Sequence, residues 1–149
     1  MLKSMKKLFL AISMLSTLAL ATPPEPKDQT LTSLTKLENL WRAKKILNYS
    51  FTLERSCFCA PRVVTMTFTV KNGKSQISNL TKGQNIKDWM IYSSIEKSYA
   101  QMRILLKKGG RVALVMDTKN AIPNQIIFDR KVNATDDELY ITISSFKKL

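Results

Sequence analysis

The sequence predicts an α+β fold: a two-layer sandwich, a mainly antiparallel sheet with two helices on one face, in the order α-β-β-β-α-β-β-β. Three observations carry this. Apolar residues recur at helical spacing over 34–47, alternate strictly from Tyr49, and return to helical spacing after Asp88. Asn72-Gly73 stands between two strand patterns, the strongest short hairpin signal because both residues tolerate positive φ. The turns between successive strands are too short for parallel crossovers, which leaves the helices to cover one face of the sheet. With 149 residues and 44% hydrophobic composition, one domain is expected. Such a chain buries enough apolar surface to fold without a metal or a disulfide.

The first 21 residues read as a signal peptide. Lys3, Lys6 and Lys7 form a basic stretch, Leu8 to Leu20 is charge-free and mostly apolar, and Ala19-Leu20-Ala21 supplies the small-x-small pattern of a cleavage site. The apolar run is short for a membrane span, which needs about 20 residues. Cleavage after Ala21 removes three lysines, taking the net charge from +13 to +10. Export to the periplasm or the extracellular space follows, with no transmembrane anchor left after cleavage. Residues 22–31 read as a Pro-rich linker, with Pro23, Pro24 and Pro26 making an extended tether. Residues 32–149 are the single domain.

The first helix places Leu34, Leu37, Leu40, Trp41 and Leu47 on one side. Thr35 and Glu38 have capping-box spacing, with Thr32 or Ser33 an equally good start. Tyr49, Phe51 and Leu53 then alternate with polar residues, as do Val64, Met66, Phe68 and Val70, the marks of half-buried strands. Lys74 to Leu80 is the returning strand of the hairpin. A second helix is expected from Asp88, as N-cap, to Lys108, with Ile91, Ile95, Tyr99, Met102 and Leu106 inward and Gly109 as its stop. Val112, Leu114 and Met116 begin the last three strands. Asp117 to Asn124 reads as a turn, and Gln125 to Asp129 and Glu138 to Phe146 complete the sheet.

These patterns, with Trp41, Tyr49-Ser50-Phe51-Thr52-Leu53 and Arg55-Ser56-Cys57-Phe58-Cys59-Ala60-Pro61, resemble a small exported bacterial family known as domain of unknown function six-one-seven-four. The likeness extends through Val70 to Gly73, Ser94-Ile95-Glu96 to Tyr99, Asp117, Ile122-Pro123, Asp129 and Asp137-Glu138. Where the family's turn usually reads Gly-Tyr-Pro, this chain has Ala121-Ile122-Pro123. The resemblance implies export and this topology, and no particular activity.

Composition narrows the chemistry. Without a histidine, the chain lacks the usual neutral-pH general base and the commonest zinc ligand. Cys57 and Cys59 are its sharpest feature, placed on the same side of a continuing strand. Residues i and i+2 of a strand lie near the upper limit for a disulfide, so a Cys57–Cys59 bridge needs a bend, which Pro61 can supply. A bridge so short stabilises little. The alternatives are a thiol pair for exchange or Cu(I) capture, and intermolecular bonding or two unpaired buried cysteines. Two sulfurs do not complete a structural zinc site.

The basic charge favours an anionic envelope component as partner, or a partner protein of the same compartment. Nucleic acid is not expected, for no such motif appears. Asp136, Asp137 and Glu138 lack the spacing of a calcium loop and read as a solvated turn. No catalytic, metal or cofactor residues are singled out. The expected function is that of a non-enzymatic binding or accessory module of the cell envelope, with a thiol-active or copper-handling protein as the alternative.

Overall fold

The computed structural model describes residues 23–58, 63–79, 86–134 and 136–149. Among these residues, seven strands form one antiparallel sheet. Chain order gives β1 (Lys27–Asp28), α1 (Leu31–Ala43), β2 (Asn48–Cys57), β3 (Val63–Lys71), β4 (Lys74–Ile77), α2 (Lys87–Met90), α3 (Ile95–Lys107), β5 (Arg111–Asp117), β6 (Ile122–Asp129) and β7 (Leu139–Lys148). Across the sheet they run β1-β5-β6-β7-β2-β3-β4. Two meanders, β2-β3-β4 and β5-β6-β7, therefore meet where β7 pairs with β2. The α+β class and antiparallel sheet follow as the alternation implies.

The inward residues are those the alternation selects. Tyr49, Phe51 and Leu53 on β2, Val64, Met66, Phe68 and Val70 on β3, and Ile141 and Ile143 on β7 are buried under the helices. Asn72 and Gly73 take φ of 48° and 77°, the paired positive values a two-residue hairpin requires. The opposite face carries the intervening hydroxyls, with Thr52 set across from Thr67 on β3 and Ser144 on β7.

Several local expectations are corrected. The predicted second helix is two helices. Ser94 leaves the helical region at φ −148° and ψ 162°, and its side chain accepts from the backbone N–H of Lys97. The short α2 thus ends and α3 starts afresh, so three helices lie on the sheet rather than two. Ser94, not Asp88, is the cap. Buried Tyr92 fills the corner, its ring 5.7 Å from that of Phe128.

The first helix starts earlier than expected, because Thr30 and Ser33 form a reciprocal capping box. Leu40 and Leu47 are exposed rather than inward. The tether is partly structured: Lys27 and Asp28 pair with Leu114 and Ala113 of β5. Pro26 and Pro24, which lack an N–H, stand just before this strand. The turn after β5 is shorter than expected, and Pro123 lies inside β6 at a register shift against Val115 and Met116, where a strand tolerates proline. A second shift, between Ser50 and Thr52 on the β2–β7 ladder, coincides with Ser145 at φ 52°. That bulge turns Phe146 onto the helix side, against Trp41 and Tyr49.

Candidate functional site at the Cys57 end of the sheet

Strand register builds this site. Antiparallel pairing sets Cys57 opposite Leu139, Ser56 opposite Tyr140 and Arg55 opposite Ile141. The end of β2 thereby lies beside the acidic run Asp136-Asp137-Glu138 that leads into β7. Arg55 occupies the inward position that follows Tyr49, Phe51 and Leu53. Its guanidinium carbon sits 5.0 Å from the ring centroid of Trp89 on α2, a cation–π contact. Arg55, Cys57, Phe58, Arg130, Asp136, Asp137, Glu138 and Leu139 enclose a cavity of about 140 Å³.

The polar atoms around that cavity are incompletely paired. Nε of Arg55 and both carboxylate oxygens of Asp137 are buried without a hydrogen-bond partner among the described residues. A buried polar group left unpaired costs free energy, so an arginine donor and a carboxylate bordering one cavity are the marks of a place that receives something polar.

A second cavity, of about 310 Å³, lies beside the first and shares Glu138. Glu25, Asp28, Asp129 and Tyr140 border it, over Ala113 and Ile127. Arg111 donates from Nε to Asp28 at 2.8 Å. The hydrogen bond and charge of Asp28, with the charge of Asp129, hold the guanidinium still more firmly protonated. Oδ1 of Asp129 is buried and has no partner among the described residues. Six of the eleven acidic residues of this basic chain border the two cavities.

The predicted site residues divide. Among the described residues no cysteine is free, and Cys57 borders the smaller cavity. Cys59, and the expected cleavage residues Ala19 and Ala21, lie outside the described residues. Among the described residues, no group of three or more His, Cys, Asp or Glu is placed to hold a metal ion. No helix there is long and apolar enough to cross a membrane. Asp136 is exposed and Asp137 half-buried; the run read as a solvated turn thus has one member turned inward. Arg55 and Asp129 were missed. Arg55 did leave a signal, a charge in the inward phase of an otherwise apolar strand.

A second polar cluster supports the helices. Trp41 donates from Nε1 to Oε1 of Glu96 at 2.7 Å, and the Tyr49 hydroxyl donates to Oε2 at 2.8 Å. The Tyr49 oxygen also accepts from the backbone N–H of Ile95. These are residues that carried the family resemblance, and they join α1, β2 and α3 at one carboxylate. A model of the family of unknown function DUF6174 matches residues 33–148. The chain belongs to that family. Comparison with curated proteins and with solved structures returned no match. Within this DUF6174 member, the Trp41–Tyr49–Glu96 cluster is structural, since every donor is satisfied internally. At the Cys57 end, polar atoms stay unsatisfied among the described residues.

Proposed function

We propose that this DUF6174 member is an exported, non-enzymatic binding module of the bacterial envelope, and that it engages its partner at the Cys57 end of the sheet. One observation carries the reading: a buried guanidinium nitrogen and a buried carboxylate, each without a partner among the described residues, border one cavity. Together they suit a group with both an acceptor and a donor, such as an exposed peptide bond of a partner protein. The leader pattern before Thr22 supports export. The chain has two cysteines and Cys57 is not free, which supports a Cys57–Cys59 bridge pinning the end of β2.

The test is a photo-crosslinking residue in place of the exposed Phe58, with the full chain expressed in a bacterial host carrying a DUF6174 protein. A discrete adduct that disappears on Asp137→Asn is the expected result. Adducts unchanged by that substitution sink the reading of the site. Intact mass with thiol alkylation addresses the rest: the expected chain starts at Thr22 and takes up no alkyl group until reduced. An unprocessed chain with two reactive thiols removes both export and the bridge.

A further inference from the structure

Cations cluster on two of the helices. α1, α3 and the residues just after them carry eight cations: Lys36, Arg42, Lys44, Lys45, Lys97, Arg103, Lys107 and Lys108. The two helices hold only two acids, Glu38 and Glu96, and both are engaged inside the layer. Glu38 is buried and bonded to Arg42 and Arg103. Glu96 accepts from Trp41 and Tyr49. The solvent face of α1 and α3 therefore presents positive charge with no unengaged acid of these two helices to offset it.

Apolar side chains lie among these cations. On α1, Lys36, Leu40 and Lys44 follow at intervals of four, which aligns them on one stripe. On α3, Lys97, Ala100, Ile104 and Lys108 follow at intervals of three or four and line up likewise. Leu40 is 56% exposed and Ile104 46%. Thr35 and Glu38 meet Arg103, while Trp41 meets Glu96, so the helices are antiparallel. That arrangement spreads the cations over both ends of the two helices.

We propose that the outer face of α1 and α3 is a docking surface for an anionic lipid bilayer. Lysine heads meet the phosphate headgroups while their stems, with Leu40 and Ile104, enter the interface. Charge complementarity selects an anionic partner. The exposed apolar residues favour a lipid surface over a purely ionic polymer, which has no use for them. Lys36, Lys45, Lys107 and Lys108 are exposed and make no hydrogen bond or ion pair among the described residues, so they are available for this contact. The surface uses none of the residues that border the Cys57 cavity, although Ile104 and Lys108 share a neighbouring cavity with its Arg130 and Leu139.

The test is co-sedimentation of the full chain with vesicles of phosphatidylglycerol and phosphatidylcholine, against phosphatidylcholine alone. Wild type is compared with a Lys36→Ser, Lys45→Ser, Lys107→Ser, Lys108→Ser variant and with a Leu40→Ser, Ile104→Ser variant. Residues 1–22 are common to all three, so any membrane affinity of the leader cancels in the comparison. All substitutions are at exposed positions, and circular dichroism verifies the fold. The lysine variant is expected to lose roughly tenfold or more in partitioning onto the anionic vesicles, and the apolar variant roughly threefold or more. Both variants sedimenting like wild type overturns the proposal. Equal binding to neutral vesicles overturns it too, as does binding confined to an acidic polymer such as heparin.

Discussion

The Tyr49 hydroxyl donates to Oε2 of Glu96 at 2.8 Å, while Trp41 occupies the other oxygen of the same carboxylate. Three elements are therefore joined at one side chain, and its two acceptors are both needed. Glu96→Gln keeps the shape but turns an NH₂ group toward one of two donors. The expected loss is about 2 kcal/mol, the scale of a hydrogen bond to a charged group, seen as a lower urea midpoint at unchanged slope. A midpoint equal to wild type removes Glu96 from this role.

Alkaline pH should unfold the protein. Burial first, then the charge and hydrogen bond of Glu96, push the Tyr49 hydroxyl far above the usual tyrosine range. Burial, then the charge of Glu38, does the same to Tyr99, and burial also raises Tyr92 against the opposing charges of Arg130 and Arg55. A raised folded value means that the unfolded chain gives up these protons first. The stabilisation is complete below the unfolded value of about 10 and is lost as pH rises above it. The denaturation midpoint should hold from pH 7 to 9 and fall from about pH 10 upward. Tyrosinate absorbance should show these three ionising together with unfolding. Their stepwise ionisation in folded protein contradicts this.

The strands were legible because their information is local. Val64 to Val70 alternates, and Asn72-Gly73 fixes the hairpin without help from distant residues. The break before α3 was hidden because Ile91, Ile95 and Tyr99 keep helical spacing across it, although the backbone does not continue and Ile91 is exposed. Phe146 was unreadable for a similar reason: its inward direction depends on a bulge at Ser145. The candidate site is non-local. Cys57 and Asp137 come together only through the β2–β7 register, which local alternation does not specify.

Ala121 holds φ at 58° in the turn before β6, a left-handed conformation that strains a residue with a Cβ. The family's usual glycine fits there without that strain. Ala121→Gly should stabilise the protein by about 0.5–1 kcal/mol, after the added freedom of the unfolded chain is set against the relieved strain. Thermal denaturation gives the answer, and a lower midpoint contradicts it. The Tyr99 hydroxyl, 3.5 Å from the Ala121 carbonyl, marks how closely the turn packs on α3.

Glu38 clamps α1 to α3 by pairing with Arg103 across the helices and with Arg42 on its own helix. The partners are unequal. Arg42 is largely exposed, where water and salt screen its charge, while Arg103 is about one-third exposed beside a buried carboxylate. Glu38→Ala strands Arg103 over the core and should cost about 2–3 kcal/mol. Arg42→Ala should leave the urea midpoint where it is. Equal losses from both substitutions contradict the clamp.

Asp137 provides the sharpest separation of stability from binding. Its buried oxygens have no partner among the described residues, so the folded chain bears their desolvation cost with nothing gained in return. Asp137→Asn removes the charge at nearly constant shape and should stabilise the isolated protein by about 1 kcal/mol. The same substitution should abolish the Phe58-directed adduct. Gain of stability with loss of partner is the pattern of a side chain held for recognition. A carboxylate that instead supports the fold would give a lower midpoint, and the urea titration of the purified variant distinguishes the two.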